Sequence, residues 1–331
     1  MTLAANGIGN SYHDVLATLS QGSVDVNFDP YLDIDWDSPE FAIDRDDPRW
    51  VLPEYDPLGG TRWYQNLPLE RRIEIGRWRM AYAIKVGLMF ESILIRGMMQ
   101  YVMKLPNGSP EFRYCMHEMT EECNHIQMFQ ELVNRIGEDV PAGRRHFRAL
   151  SPLIGVAGGY AHLILFIGIL GGEEPIDHLQ KEIIRNGANI PPAVLRCMQI
   201  HIAEEARHIS FAGEFLKSHL AQTNPVFKQI CGVAFPIAMR WLAGEITVPP
   251  KSFAREFGIP DEVFADAYWR SPNSRRILSG YFGDMRRLAT DLGLMNPVTR
   301  RLWQLLNIDG APSRYRSEPD RTAFTEVPRS A

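Results

Sequence analysis

Residues 201–210 read HIAEEARHIS, and this stretch decides the fold. His201, Glu205 and His208 stand four and three residues apart. On a helix, at about 100° per residue, those offsets bring all three side chains to one face. Two imidazoles and a carboxylate converging from one helix make half of a metal site. The donor set suits iron, manganese or zinc rather than calcium or magnesium.

A second copy lies upstream, in HEMTEECNHIQMF, residues 117–129. Glu122 and His125 repeat the Glu-x-x-His spacing, and no other pair in the chain has it. Glu91 precedes Glu122 by 31 residues, and Glu173 precedes Glu205 by 32. The order is a Glu, a helix's length, then Glu-x-x-His, twice over. Carboxylate-bridged di-metal sites in four-helix bundles take one Glu from each of two helices and Glu-x-x-His from each of the other two. The interval suffices to finish one helix, turn, and return to the same depth on its neighbour. The expected fold is all-α, a ferritin-like four-helix bundle with additional helices and an irregular N-terminal arm.

Composition narrows the partners. The 331 residues, 45% of them hydrophobic, can fill the core of one large domain or two small ones. A net charge of −5 offers no basic surface, so no nucleic-acid partner is expected. Cys115, Cys123, Cys197 and Cys231 show neither Cys-x-x-Cys spacing nor the density of a disulfide scaffold, which fits a reducing cytoplasm. The opening MTLAANGIGNSYHDV has no basic segment followed by an apolar one, so no export signal is expected.

The stretch Pro152 to Gly172, PLIGVAGGYAHLILFIGILGG, carries no charge over 21 residues, the length of a membrane span. Its glycines, His162, the adjoining Glu173 and Glu174, and the lack of a basic anchor on its C-terminal side favour a different reading. A helix that is apolar all round is also what the buried centre of a large bundle requires. No membrane partner is expected.

In chain order, residues 1–69 read as an irregular arm packed on the bundle. Pro and Asp are dense between Phe28 and Trp63, which blocks long helices. The same segment carries Tyr31, Trp36, Phe41, Trp50, Tyr55 and Trp63, too much apolar surface for a solvated tail. Residues 70–310 read as the ferritin-like di-iron helical domain, and 311–331 as a polar, mobile tail. Within the domain, Ile75, Trp78, Tyr82, Val86 and Met89 recur at three- and four-residue steps, predicting a helix that delivers Glu91. A lone carboxylate among apolar neighbours needs a partner, and a metal supplies one. The turn LPNGSPEF opens the second helix, with Glu122 and His125; Glu121 reads as solvated or as an outer partner. A long third helix, kinked or closely packed at Gly158 and Gly159, presents Glu173 or Glu174, and spacing does not choose between them. Pro191 and Pro192 open the fourth, and further helices follow Pro225.

These residues resemble the AurF-like p-aminobenzoate N-oxygenase family of ferritin-like di-iron oxygenases. His201 carries the resemblance, because the family adds a third histidine one turn before the second Glu-x-x-His. A further marker, Glu-x-x-Ile followed by Asn, is matched by Glu173 and Ile176, with Asp177 in the place of Asn; it favours Glu173 over Glu174. The match is specific over roughly residues 80–220. It implies that Glu91, Glu122, His125, Glu173, His201, Glu205 and His208 hold two iron ions, with manganese an alternative occupant of one position. It implies dioxygen as co-substrate, an external electron donor, a small-molecule substrate and oxygen insertion into an aromatic amine, with no catalytic side chain beyond the ligands. A cytoplasmic homodimer is expected by analogy. Asp177 in the Asn position implies a different substrate pocket.

Other readings use the same ligands. A di-iron hydroxylase or desaturase attacking C–H bonds needs an apolar pocket, for which Met89, Phe90, Met98, Met99, Met128, Phe129 and Phe166 are candidates, although at helical spacing such residues are more often core. A ferroxidase or iron-handling protein needs no organic substrate. A radical-generating subunit needs a tyrosine near the metal, and Tyr82 and Tyr114 are the nearest in sequence.

Overall fold

Prolines and asparagines punctuate this chain where its helices begin. The computed structural model describes residues 4–185, 187 and 189–319, with side chains described from Tyr12 onward. The helices are α1 (Ala4–Asp25), α2 (Arg62–Gln65), α3 (Leu69–Val102), α4 (Pro110–Ile136), α5 (Arg145–Tyr160), α6 (His162–Arg185) and α7 (Pro192–Leu220). They continue with α8 (Pro225–Thr247), α9 (Lys251–Glu256), α10 (Asp261–Ala265), α11 (Pro272–Gly280), α12 (Gly283–Asp291) and α13 (Pro297–Leu305). No strand occurs among the described residues. Proline stands in the first turn of α4, α7 and α8, where its missing N–H costs nothing. Asn224 caps α8 by accepting from the Phe227 N–H at 2.9 Å. Gly137 closes α4 at φ 72°, a left-handed position that suits glycine.

The long helices α3, α4, α6 and α7 form the bundle, in which α3 packs on α4 and α6, and α7 on α6 and α4. Helix α5 lies along α3, α8 along α6, and α1 against both α4 and α7. One apolar core fills the end of the bundle around Phe166, Phe211 and Phe215. Another lies under the arm around Trp50, Trp78 and Tyr82.

Three expectations are corrected. The irregular arm begins only after Asp25, because Ala4–Asp25 is a helix that packs on α4 and α7. From Phe28 to Thr61 the chain is irregular, and Ile34, Trp36, Trp50 and Leu58 bury themselves on the bundle. The long third helix is two helices: Ala161 leaves the helical region at φ −115°, ψ 61°, separating α5 from α6. The cause lies at Gly155 and Gly159, which press α5 onto α3; a Cβ on Gly159 would stand 2.5 Å from the Gln100 Cβ. Bound so closely to α3, the chain must turn before α6 can cross to α7. The uncharged stretch 152–172 is therefore not one continuous helix. Finally, the tail expected to be mobile from Ala311 is held through residue 319. The buried Arg286 donates to the Ala311 carbonyl at 2.9 Å, Arg185 to that of Ser317 at 2.7 Å, and the Ser317 N–H to Asp284 at 2.8 Å. Residues 320–331 lie outside the described residues.

Among the described residues, one segment, Pro225–Glu256, has the length and apolar composition of a membrane span, and 61% of its most apolar 18-residue window is buried within the protein. Its helix α8 packs along α6, as a core helix does.

Candidate metal centre

Each bundle helix brings a buried carboxylate to one level. Glu91 comes from α3, Glu122 with His125 from α4, Glu173 from α6, and His201, Glu205 and His208 from α7. Glu91, His125 and His201 place one ligand atom each within 4.8 Å of one another, and so do Glu122, Glu205 and His208. Each triplet could hold one ion. The two are joined through their carboxylates: His208 Nδ1 lies 2.9 Å from Glu122 and 3.4 Å from Glu205, and His201 Nε2 lies 3.3 Å from Glu205. His125 Nδ1 is 3.4 Å from Glu122.

Glu173 stands outside both triplets. Both its carboxylate oxygens are buried without a hydrogen-bond partner, and its strongest charged neighbours are Glu205, Glu122 and Glu118. Glu174 faces another environment, that of Asp284, Arg316, Asp177 and Lys181. Of the two, Glu173 is the one that faces the cluster.

The chemistry of the donor set fits a pair of cations. Both oxygens of Glu91, both of Glu173 and Oε2 of Glu205 are buried and unpartnered, a costly arrangement that bound metal would relieve. Protons do some of this work in the metal-free protein. Burial, followed by the neighbouring carboxylates, pushes Glu91 and Glu173 well above the ordinary carboxylate range. Burial opposes charge on His125 and His208, yet the surrounding glutamates raise both well above the usual imidazole value. Glu122, despite its burial, is held low by those two histidines. Burial takes His201 the other way, down to about 4.

Each histidine is aimed by a partner on a different helix. His125 donates from Nε2 to Glu204 on α7 at 2.8 Å, and His208 donates from Nε2 to Glu121 on α4 at 2.7 Å. His201 donates from Nδ1 to Gln180 on α6 at 2.9 Å. These bonds turn the other ring nitrogen of each toward the cluster, which is how carboxylates outside a metal site fix the tautomer of its ligands. Arg207 lies 3.0 Å from Glu121 and 3.7 Å from Glu204, balancing both charges, and the Phe28 N–H donates to Glu204 at 3.2 Å.

Sequence reasoning left Glu121 undecided and missed Glu204, Gln180 and Arg207. The signal was present for Glu204, since both half-sites read Glu-Glu-x-x-His. It also missed Glu118, one turn before Glu122, which is fully buried with both oxygens unpartnered and is charge-coupled to His208, Glu122 and Glu205. Of the two tyrosines considered, Tyr82 stacks on Trp78 and Tyr114 packs on Phe211. Tyr114 has Glu118 as its strongest charged neighbour, and its buried hydroxyl has no hydrogen-bond partner.

A cavity of 330 Å³ borders the cluster at Glu91, Glu173, His201 and Glu205. Among the residues expected to line a pocket, Phe90 borders it. Phe129 borders a second cavity, of 590 Å³, beneath the arm, while Met98, Met128 and Phe166 are core. Asp177 borders neither; it pairs with Lys181 at 2.6 Å, so it does not reshape the pocket directly.

Comparison with known proteins agrees with this geometry. The family described as "P-aminobenzoate N-oxygenase AurF" matches residues 9–293. An uncharacterized protein of Mycobacterium bovis and one of Mycobacterium tuberculosis are each 55% identical over 317 residues, covering 96% of this chain and 93% of the relative. With a family match across most of its length and the buried Glu and His clusters in place, this chain belongs to the p-aminobenzoate N-oxygenase AurF family.

Proposed function

We propose that this protein is a non-haem di-iron oxygenase that uses dioxygen to oxygenate a small molecule lodged beside Glu91 and Glu173. One observation carries the reading: two Glu-x-x-His half-sites face each other in a buried cluster, every histidine is oriented from outside, and an apolar cavity opens on one side. Glu91, His125 and His201 would hold one iron and Glu122, Glu205 and His208 the other, with Glu173 beside them as a further carboxylate. Iron bound there supplies the capacity to bind and reduce dioxygen.

The chain's own residues do the rest. Glu204, Glu121 and Gln180 hold one proton of each histidine on the outward nitrogen, so that the inward nitrogen is the one presented to metal. The carbon walls of the cavity exclude water from the reacting end of the substrate. For an amine the balance is R–NH2 + O2 + two electrons + two protons → R–NHOH + H2O, the electrons coming from an external donor. N-oxygenation of a small amine is the reading the family supports. Hydroxylation of a C–H bond is the alternative, and the apolar lining of the cavity supports it. Iron storage is the weaker third, because no carboxylate lines the cavity outside the cluster to pass cations inward.

A cytoplasmic homodimer remains the proposed setting. Four free cysteines suit a reducing compartment, and Val226, Ile230, Val233 and Ile237 form an exposed apolar stripe along α8 that a second copy could cover. The mass in solution tests the dimer. The function is tested by a single turnover: two ferrous ions loaded without air, an uncharged arylamine added, oxygen admitted, and the product weighed by mass spectrometry. Oxygen gained on nitrogen is the expected result. Oxidised iron with the amine returned unchanged would refute N-oxygenation.

A further inference from the structure

We infer that the cavity at this centre takes an elongated hydrocarbon chain, entering tail first and leaving its anionic head at the break between α5 and α6. The oxygenase reading above is what makes that chain a substrate; the fit of the chain rests on the cavity alone.

The lining carries the argument. Its only polar side chains are Glu91, Glu173, His201 and Glu205, all in the candidate metal cluster, and everything else is carbon or glycine. One stripe of α6 runs along it from the break: Ile164, Leu165, Gly168, Ile169 and Gly172, reaching Glu173, with Ile176 one turn beyond. From residue 164 to residue 173 is nine steps, and at about 1.5 Å per residue the path to the cluster is roughly 14 Å long. A volume of 330 Å³ spread over that depth makes a channel, not a chamber.

The mouth is equally plain. Ala157 and Ala161 line the cavity and are exposed, so the opening lies at the α5–α6 break. Around it α5 exposes Leu153 and Tyr160, each 67% accessible, and Val156. Large apolar side chains exposed together at the entrance to an apolar channel mark a docking path for an apolar molecule. Lys104 stands at the rim. It donates to the Gly159 carbonyl at 3.1 Å and lies 3.5 Å from the Tyr160 ring centre. A carboxylate head has a counter-charge at the mouth and none within.

The same lining argues against p-aminobenzoate. Its carboxylate lies across one ring from its amine, so with the amine at the metals the charge would be buried in the channel. A ring's width from the cluster it would meet only carbon and glycine, and such burial is expensive.

The test titrates linear saturated carboxylic acids of increasing length, and p-aminobenzoate, into the metal-free full chain by calorimetry, below the acids' micelle concentrations. Affinity is expected to rise about fourfold per methylene until the channel is full. No binding of p-aminobenzoate is expected. Gly168→Phe should abolish binding of the longer acids and leave thermal unfolding and metal content unchanged, since a Cβ at Gly168 meets nothing within 4 Å. Lys104→Gln should weaken the acids several-fold and leave alcohols of equal length untouched. A flat dependence on length, full binding to Gly168→Phe, or p-aminobenzoate binding as tightly as the longest acid would overturn the channel. Unchanged acid binding to Lys104→Gln would overturn the placement of the head. If the acids bind as expected but the iron-loaded protein hydroxylates none of them, the C–H form of the oxygenase reading fails and the channel stands.

Discussion

Glu204→Ala removes a residue that touches no metal, and its cost follows from what it holds. Glu204 accepts from His125 Nε2 at 2.8 Å and from the Phe28 N–H at 3.2 Å, and it lies 3.7 Å from Arg207. Without it, His125 can take either tautomer or swing about its χ2 axis, and the triplet of Glu91, His125 and His201 loses its fixed third donor. Loss of such an outer carboxylate typically lowers metal affinity about 10–100-fold, roughly 1.4–2.7 kcal/mol. Glu204→Gln keeps an acceptor of the same shape without the charge, so its loss should fall at or below the low end of that range. The assay is anaerobic titration of the metal-free protein with ferrous ion, followed by calorimetry, with far-ultraviolet circular dichroism to verify the helices. Only one of the two binding steps should weaken, because His208 keeps its own partner, Glu121, at 2.7 Å. Wild-type affinity at both steps in Glu204→Ala would refute the claim that the outer glutamates orient the ligands. Equal weakening at both would mean that Arg207, released from Glu204, perturbs Glu121 as well.

Two further outcomes concern protons. His125 and His208 are raised well above the usual imidazole value in the metal-free fold, so both carry a proton at neutral pH and must lose it to bind metal. Glu91 and Glu173, raised likewise, must lose theirs too, so binding of two divalent ions should release protons from both rings and both carboxyls, and apparent affinity should climb with pH through the neutral range; calorimetry in buffers of different ionisation enthalpy reads both, and a pH-independent affinity would count against the assignment. Burial, then Asp284, raises Glu174 from 4.5 to about 8. Between those values the folded chain keeps a proton that the unfolded chain has released, so this group makes stability fall as pH rises from about 4.5 to 8 and contributes no slope below. Glu174→Gln should remove that slope and be more stable than the wild type at pH 9 by roughly 2–4 kcal/mol in urea unfolding of the metal-free protein. Identical pH profiles would show that Glu174 is not buried as described.

The bundle was legible because its signal is periodic. Glu91, Glu122 with His125, and His201 with Glu205 and His208 sit at intervals fixed by helix geometry, and each lies on the helix expected of it. The break at Ala161 was legible only as a kink or close contact at Gly158 and Gly159; that the helix divides there was not, because it follows from Gly155 and Gly159 closing on Gly97 and Gln100 of a helix some sixty residues earlier. Helix α1 escaped for a related reason: its apolar face acquires meaning only when α4 and α7 are there to cover it. Met98, Met128 and Phe166 proved to be core, as helical spacing favoured, but the true lining stayed unread: Ile164 and Leu165 are just as apolar, and composition cannot tell a residue that fills a core from one that faces a void.

Doubled glutamates show where such reading stops. Consecutive residues on a helix point about 100° apart, so when the second Glu of a pair faces the cluster the first must look toward a neighbouring helix. In Glu121-Glu122 and Glu204-Glu205 that neighbour carries a histidine, and the first Glu reaches across to hold it, α4 to α7 and α7 to α4. Each five-residue motif thereby supplies its own ligands and the orienting group for the other. Glu173-Glu174 is the same dipeptide with the order reversed: here the first Glu turns to the cluster, and the second meets Asp284, Arg316 and Lys181 instead of an imidazole. The three pairs are indistinguishable as dipeptides. What separates an orienting carboxylate from one that answers to the docked C-terminal segment is the element packed opposite, and its one mark in the sequence is the His three residues after the second Glu, which Glu121-Glu122 and Glu204-Glu205 have and Glu173-Glu174 lacks.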